Sequence, residues 1–178
     1  MGKKIYVVRH CQAKGQEVEA ELTDEGVKQA SKLVEFFSKI KVDRIISSPY
    51  RRAMDSVGPL AKEKDLSIEM DDRLSERVLS TQFFTDWREK LKATFDDLDI
   101  EYPGGESSRQ AMSRGLEVIQ ELSEGEQVIL ATHGGLTSLI LKSFQPNFRF
   151  EDWENLTNPD VYLLDYQDEN PKVISLWK

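Results

Sequence analysis

Cysteine is nearly absent from this chain. Its 178 residues hold one, Cys11, so no intrachain disulfide can brace the fold. Histidine is almost as scarce, with only His10 and His133. Two histidines and one cysteine argue against a structural zinc site. No apolar run approaches the ~20 residues that span a bilayer. The run Ile5–Val8 stops at Arg9, too short for a secretory signal core, so the cytoplasm is the expected compartment. Positive charge is in deficit: 24 Lys and Arg against 32 Asp and Glu give a net charge of −8. That balance argues against nucleic acid or an anionic membrane as a partner. It leaves room for a small anion wherever a few arginines converge. The rest is ordinary for a soluble globular protein, with 39% apolar and 31% charged residues. A domain near this size buries roughly 70% of its unfolded surface and needs no staple. Residues 1–178 are therefore expected to form one domain; nothing in them speaks to oligomeric state.

The pattern alternates strands and helices. Lys4–Val8 is a short β-branched run and reads as a buried strand. Thr23 is placed to cap a helix over Asp24–Lys39, with apolar positions at Val27, Ala30, Leu33, Val34 and Phe37. Asp43–Ser47 reads as a second strand, and Ser48-Pro49 opens a helix over Tyr50–Lys64. Ser67–Met70 is a third, short strand. Thr81–Leu98 is expected to be helical and amphipathic, and Tyr102–Gly105 to turn. A helix over Ser107–Leu122 stops before Gly125. Gln127–Ala131 is the most apolar strand, and Gly134–Phe144 the next helix. Val161–Tyr166 and Lys172–Trp177 read as antiparallel edge strands. The expected fold class is α/β: a three-layer sandwich whose mostly parallel central sheet carries helices on both faces.

Ligands of such sheets bind beyond the carboxyl ends of the strands. The first strand ends into Arg9-His10. The second ends into Ser47-Ser48-Pro49, one turn before Arg51-Arg52. The strand ending at Ala131 runs into Thr132-His133-Gly134-Gly135. Both histidines and several arginines thus fall at one end of the sheet. Two glycines after His133 let backbone approach a ligand closely, and a helix start offers unpaired N–H groups to an anion. Taken singly, each element also fits a plain strand end or a tight turn.

Together, Arg9-His10, Ser47–Ala53 and His133-Gly134 resemble the histidine phosphatase (phosphoglycerate-mutase-like) superfamily in content and order. Further matches are Leu22–Gly26 with Gln29-Ala30, Arg73–Glu76, and Pro103–Ser107. Two departures stand out. Cys11 replaces the glycine usual after the histidine, and Gln16 falls where many members have an asparagine. A cysteine-phosphatase loop is excluded, because Glu17 sits where its arginine would be.

The resemblance implies a metal-independent phosphatase, without cofactor, acting on a small phosphorylated substrate. Phosphoryl transfer needs an in-line nucleophile and dense positive charge around the equatorial oxygens. A neutral imidazole can form a phosphohistidine and split the reaction in two; His10 takes that part. Arg9 and Arg52 are planar forks for phosphate oxygens. His133 stabilises the transferring group, with Gln16 and Gly134 as further phosphate donors. These two histidines and two arginines are counted as four potential cations. Arg52, directly before Ala53, is preferred to Arg51. Glu76 is the candidate acid and base, with Glu106 as its competitor. Segment 78–104, with Phe83, Phe84 and Trp87, is a candidate active-site cover, although its aromatics also fit an ordinary core. Alternative functions are a cofactor-dependent phosphoglycerate mutase, a phosphohistidine-protein phosphatase and a non-catalytic phosphate binder.

Overall fold

Side-chain alternation in the first strand sets up the layers. In a computed structural model describing residues 2–178, strand β1 runs from Lys4 to Arg9. Ile5 and Val7 point into one apolar cluster, Tyr6 and Val8 into another on the opposite face, as a period of two requires. Strand β2 (Arg44–Ser47) splits the same way, with Ile45 and Ile46 on opposite faces. Strand β4 (Gln127–Thr132) does so with Val128 and Leu130 against Ile129 and Ala131. A strand buried on both faces needs covering on both. Helices α1 (Asp24–Phe36) and α2 (Arg51–Glu63) cover one side, through Ala30, Leu33, Val57 and Leu60. Helices α4 (Ser108–Gln120) and α5 (Gly134–Phe144) cover the other, through Ala111, Val118, Leu136 and Ile140. The three-layer arrangement is as expected.

With β3 (Ile68–Met70), β5 (Asp160–Tyr166) and β6 (Pro171–Ser175) the sheet has order β3-β2-β4-β1-β5-β6. The first four strands in that order are mutually parallel; β5 alone runs the other way, antiparallel to both β1 and β6. One correction concerns β5, expected at an edge. It is interior, hydrogen-bonded to β1 on one side and β6 on the other, and so is buried at Val161, Leu163 and Leu164.

A second correction concerns the stretch expected to be helical over Thr81–Leu98. Helix α3 covers only Trp87–Asp96. The preceding residues are tied elsewhere: Thr81 N–H and Oγ1 both donate to Pro103 O, and Gln82 N–H donates to Ser80 Oγ. Phe83, 86% exposed, is neither core nor pocket lining. A short helix α6 (Phe150–Glu154) was not expected from the sequence; Asp152 there accepts Arg149 N–H at 2.7 Å. Among the described residues no helix is long and apolar enough to cross a membrane.

Two positions of the expected α1 stripe differ sharply. Phe37 is fully buried beside Tyr6, whereas Val27 is 58% exposed. Phe37→Ala should therefore lower unfolding free energy by about 3–5 kcal/mol. Val27→Ala should change it by under about 0.5 kcal/mol. Urea unfolding of both variants checks this; similar losses would contradict the layer assignment.

Candidate active site

Strand register brings the two histidines together. Arg9 of β1 pairs with Thr132 of β4, and His10 N–H donates to Thr132 O at 3.0 Å. The next residues on the two strands are His10 and His133, whose rings lie 5.3 Å apart at a steep angle. Ser47 pairs with Ala131, which sets Ser48 beside His133. The chain then enters α2, and Arg52 in its first turn reaches back: its Nε donates to His10 Nε2 at 3.3 Å. Three strand ends thus converge as the sequence implied.

His10 has a defined tautomer. Its Nδ1 lies 2.6 Å from Cys11 O, and a carbonyl can only accept, so Nδ1 carries the proton. Nε2 keeps its lone pair and turns it toward Arg52. Burial, and to a lesser degree the nearby His133, Arg52 and Arg9, pull the His10 pKa down to about 3, although the Cys11 hydrogen bond opposes this. The Cys11 main chain is itself held by an N–H bond to Ser56 Oγ at 2.7 Å. Its thiol is buried and pushed up to about 11, a poor nucleophile.

His133 is completely buried, and burial together with Arg52, Arg114 and Arg9 lowers its pKa to about 3. Two of the four groups counted as cations from the sequence are therefore neutral in the free protein. His133 Nε2 meets Ser48 Oγ at 2.8 Å. That hydroxyl also accepts from Tyr50 N–H, which fixes Ser48 against the His133 ring. Nδ1 is buried without a partner, a costly state for a polar group; when protonated it is a donor available to an anion.

The permanent cations are Arg9 and Arg52. Arg52 is 1% exposed; its Nη1 donates to Gln16 O and Glu17 O, and its guanidinium faces the Tyr50 ring. Arg9 donates through Nη1 to Leu156 O, while its buried Nε has no partner. Burial lowers both pKa values, against the field of Glu76; a guanidinium stays charged regardless. Arg51, by contrast, is exposed and pairs with Glu21 and Asp55. Gln16 is exposed and meets Arg52 through its carbonyl, not its amide.

The glycines after His133 have a steric purpose. A Cβ on Gly134 would fall 2.9 Å from the Arg9 guanidinium, and one on Gly135 would fall 2.5 Å from Glu76 Oε1. Their absence lets both side chains lie against the start of α5. Glu76 accepts from Gly135 N–H and Leu136 N–H, both at 3.0 Å, and from Arg77 N–H at 2.8 Å. A carboxylate at a helix N-terminus is favoured by both hydrogen bonds and dipole.

Several residues that the sequence reading passed over hold this arrangement. Arg114 of α4 donates to the carbonyls of Arg73, Ser75 and Glu76 and pairs with Glu106. Glu106 in turn accepts Val78 N–H. One half-buried ion pair therefore grips the chain on both sides of Glu76. Burial opposes ionisation of Glu106, but Arg114, the Val78 N–H and Arg77 overcome it and hold its carboxyl below the usual range. Glu106 is thus held as the anion between Arg114 and Val78 N–H. Asn158 donates to His10 O at 2.9 Å from the far side. Only spatial pairing reveals these partners; Arg114 carries no local motif. Among the described residues no group of three His, Cys, Asp or Glu side chains is placed to hold a metal.

The depressed imidazoles make a stability prediction. An unfolded histidine binds its proton near pH 6.5, whereas folded His10 and His133 bind theirs near 3. Between those values the unfolded chain holds more protons. Stability is therefore lost as pH falls below about 6.5, by up to ~1.4 kcal/mol per pH unit for each imidazole. Between about pH 6 and pH 4, the slope of unfolding free energy should be shallower in His10→Gln than in wild type. Equal slopes would contradict a neutral, buried His10.

Comparison with known proteins gives the family and the fold. The model of the histidine phosphatase superfamily (branch 1) matches residues 5–178. Phosphoglycerate mutase-like protein 4 of Arabidopsis thaliana is 26% identical, over 98% of this chain and 84% of that protein. Metal-independent phosphoserine phosphatase of the same plant is 30% identical, over 77% of this chain and 66% of its own. Bacillus stearothermophilus YhfR, 21% identical over 97% of this chain and 96% of its own, shares the fold with a TM-score of 0.80. Mycobacterial glucosyl-3-phosphoglycerate phosphatase in complex with inorganic phosphate is 25% identical, over 98% of this chain and 95% of its own, with a TM-score of 0.76. The converging histidines and arginines, the layered sheet and a family match along nearly the whole chain lead to one assignment: this protein belongs to the histidine phosphatase superfamily, branch 1.

Proposed function

We propose that this protein hydrolyses phosphomonoesters of small molecules through a covalent phosphohistidine at His10. The observation that carries the reading is the state of that imidazole. Its Nδ1–H is committed to Cys11 O, its Nε2 lone pair is free of a proton, and buried donors surround it. Family membership and relatives named as phosphatases support phosphomonoester hydrolysis as the reaction.

In the proposed cycle the phosphate enters between His10, Arg9, Arg52 and His133. Arg52 Nε–H transfers its hydrogen bond from His10 Nε2 to a phosphate oxygen. That frees the lone pair and supplies charge at the same time. Arg9 and His133 Nδ1–H meet further equatorial oxygens, with Gly134 N–H and the Gln16 amide completing the shell. Such preorganised donors favour the charge of the transferring group. Nε2 bonds to phosphorus as the ester P–O bond breaks, and Glu76, which takes a proton from the bound phosphate monoanion, passes it to the leaving oxygen. Water then attacks the phosphohistidine; Glu76 takes its proton, inorganic phosphate leaves, and the imidazole is restored.

His10→Ala should reduce hydrolysis of an alkyl phosphate by more than about 10⁴-fold, beyond what a proton-transfer group alone contributes. A loss under about tenfold would contradict the covalent role. Excess chelator should leave the wild-type rate unchanged, since among the described residues no group of three His, Cys, Asp or Glu side chains is placed to hold a metal.

Glu76 and its clamp make a sharper test. In a single turnover Glu76→Gln should slow phosphoryl transfer from an alkyl phosphate by about 10²–10⁴-fold, and from nitrophenyl phosphate far less. A nitrophenolate leaves readily without a proton. Arg114→Lys, which keeps the charge but loses the fork that grips the chain around Glu76, should show the same selectivity in weaker form. Equal slowing of both substrates by Glu76→Gln would remove it as the acid; equal slowing by Arg114→Lys would reduce Arg114 to general support.

A further inference from the structure

Beside Glu76 lies a cavity of about 170 Å³ walled by Leu79, Trp87, Leu91, Phe95, Leu139 and Trp153. Glu76 and Gly135, which belong to the phosphate end of the site, also line it. The carboxyl thus stands at the junction of two compartments, its field acting on Arg9 and Arg52 on one side and the apolar walls rising on the other. A proton delivered at that junction would reach the ester oxygen that joins phosphate to the rest of a substrate. The carbon skeleton of the alcohol would then extend into the cavity.

From this continuity we propose that the cavity is the leaving-group pocket, and that it selects phosphate esters of an uncharged, apolar alcohol of about six carbons. The proposal rests on the phosphatase reading above and adds the class of substrate to it. Size sets the carbon count: an apolar protein cavity of about 150 Å³ holds one benzene ring. Charge sets the polarity. Arg77, nine-tenths buried in the wall, donates through Nη1 to Thr94 and Ser108 and through Nη2 to Glu106 O. Both Nη groups are thus engaged, and its buried Nε has no partner. The two groups that could match an ammonium or a carboxylate are already engaged, Glu76 by the N–H groups of Arg77, Gly135 and Leu136 and Arg77 through both Nη atoms. Either ion would also shed its hydration among aromatic and aliphatic walls, which is costly without a matched partner.

The walls are built to stay in place. Helices α3 and α6, distant in sequence, are joined by the Arg88–Glu154 ion pair and by Lys92–Glu151 at 3.5 Å. Arg88 also lies over the Phe150 ring, which packs against Phe95 and Trp153. Part of segment 78–104 therefore acts as the cover, through Leu79, Trp87, Leu91 and Phe95, while Phe83 stays outside it.

Cyclohexylmethyl phosphate, methyl phosphate and phosphoserine test the proposal, because all three release a primary alkoxide. Wild-type kcat/KM for the cyclohexylmethyl ester should exceed that for methyl phosphate by about 100-fold or more, given about tenfold or more for each well-buried methylene. Phosphoserine should do no better than methyl phosphate. Leu79→Trp, which fills the cavity, should lower the cyclohexylmethyl-to-methyl ratio by about tenfold or more. Trp87→Ala, at a 45% exposed rim position, should lower it in the same direction. The ratio is insensitive to any loss of folded protein. A flat ratio, a preference for phosphoserine, or a Leu79→Trp ratio equal to wild type would overturn the pocket while leaving His10-dependent hydrolysis standing. Failure to hydrolyse any of the three would overturn both readings.

Discussion

The register between β1 and β4 is the constraint on which the site depends. With Arg9 opposite Thr132, the chain leaves the sheet at His10 and His133 side by side. A slip of one residue would send each side chain to the other face and separate the two rings. The register is strongly specified because both strands are buried on both faces. Ile5, Val7, Val128 and Leu130 must meet one cluster, and Tyr6, Val8, Ile129 and Ala131 the other. Core packing and catalytic geometry are therefore one requirement: the apolar alternation that places the strands also places the imidazoles.

The start of α5 is the second organising element. Its glycines admit Arg9 and Glu76 close to the helix axis, and its N–H groups bind the Glu76 carboxylate. In the proposed cycle the phosphate lies next to the same helix start, so Glu76 and the anion would share one positive end. Burial governs the rest of the electrostatics. It strips the protons from both imidazoles and leaves the guanidinium groups as the standing positive charge. The Arg114–Glu106 pair fixes the Glu76 segment by holding the carbonyls and N–H on either side of it.

Features that depend on local pattern were legible in the sequence: the strands of β1, β2 and β4, the Thr23 cap, and the histidines and Arg52 at strand ends. The Thr23 Oγ1 does accept Gly26 N–H at 3.0 Å. Features that depend on pairing between distant segments were not. Arg114 reads as one more charge on an amphipathic helix until the Arg73–Glu76 carbonyls are placed beneath it. Val27 fits an apolar stripe but faces solvent, because α1 buries its face further along, at Ala30, Leu33 and Phe37. The stretch from Thr81 looked helical because its aromatic spacing continues that of Leu91 and Phe95. Its N–H and hydroxyl groups are instead spent on Pro103 and Ser80. Tertiary hydrogen bonds overrode local periodicity there.

The central claim is that His10 attacks phosphorus through Nε2 because its Nδ1–H is held by Cys11 O. Rapid denaturing quench during turnover, followed by ³¹P NMR of the trapped phosphoprotein and mapping of the modified peptide, reads both the residue and the ring nitrogen. The account predicts phosphate on His10 Nε2. Phosphate on His10 Nδ1, on His133 or on any other side chain would contradict it.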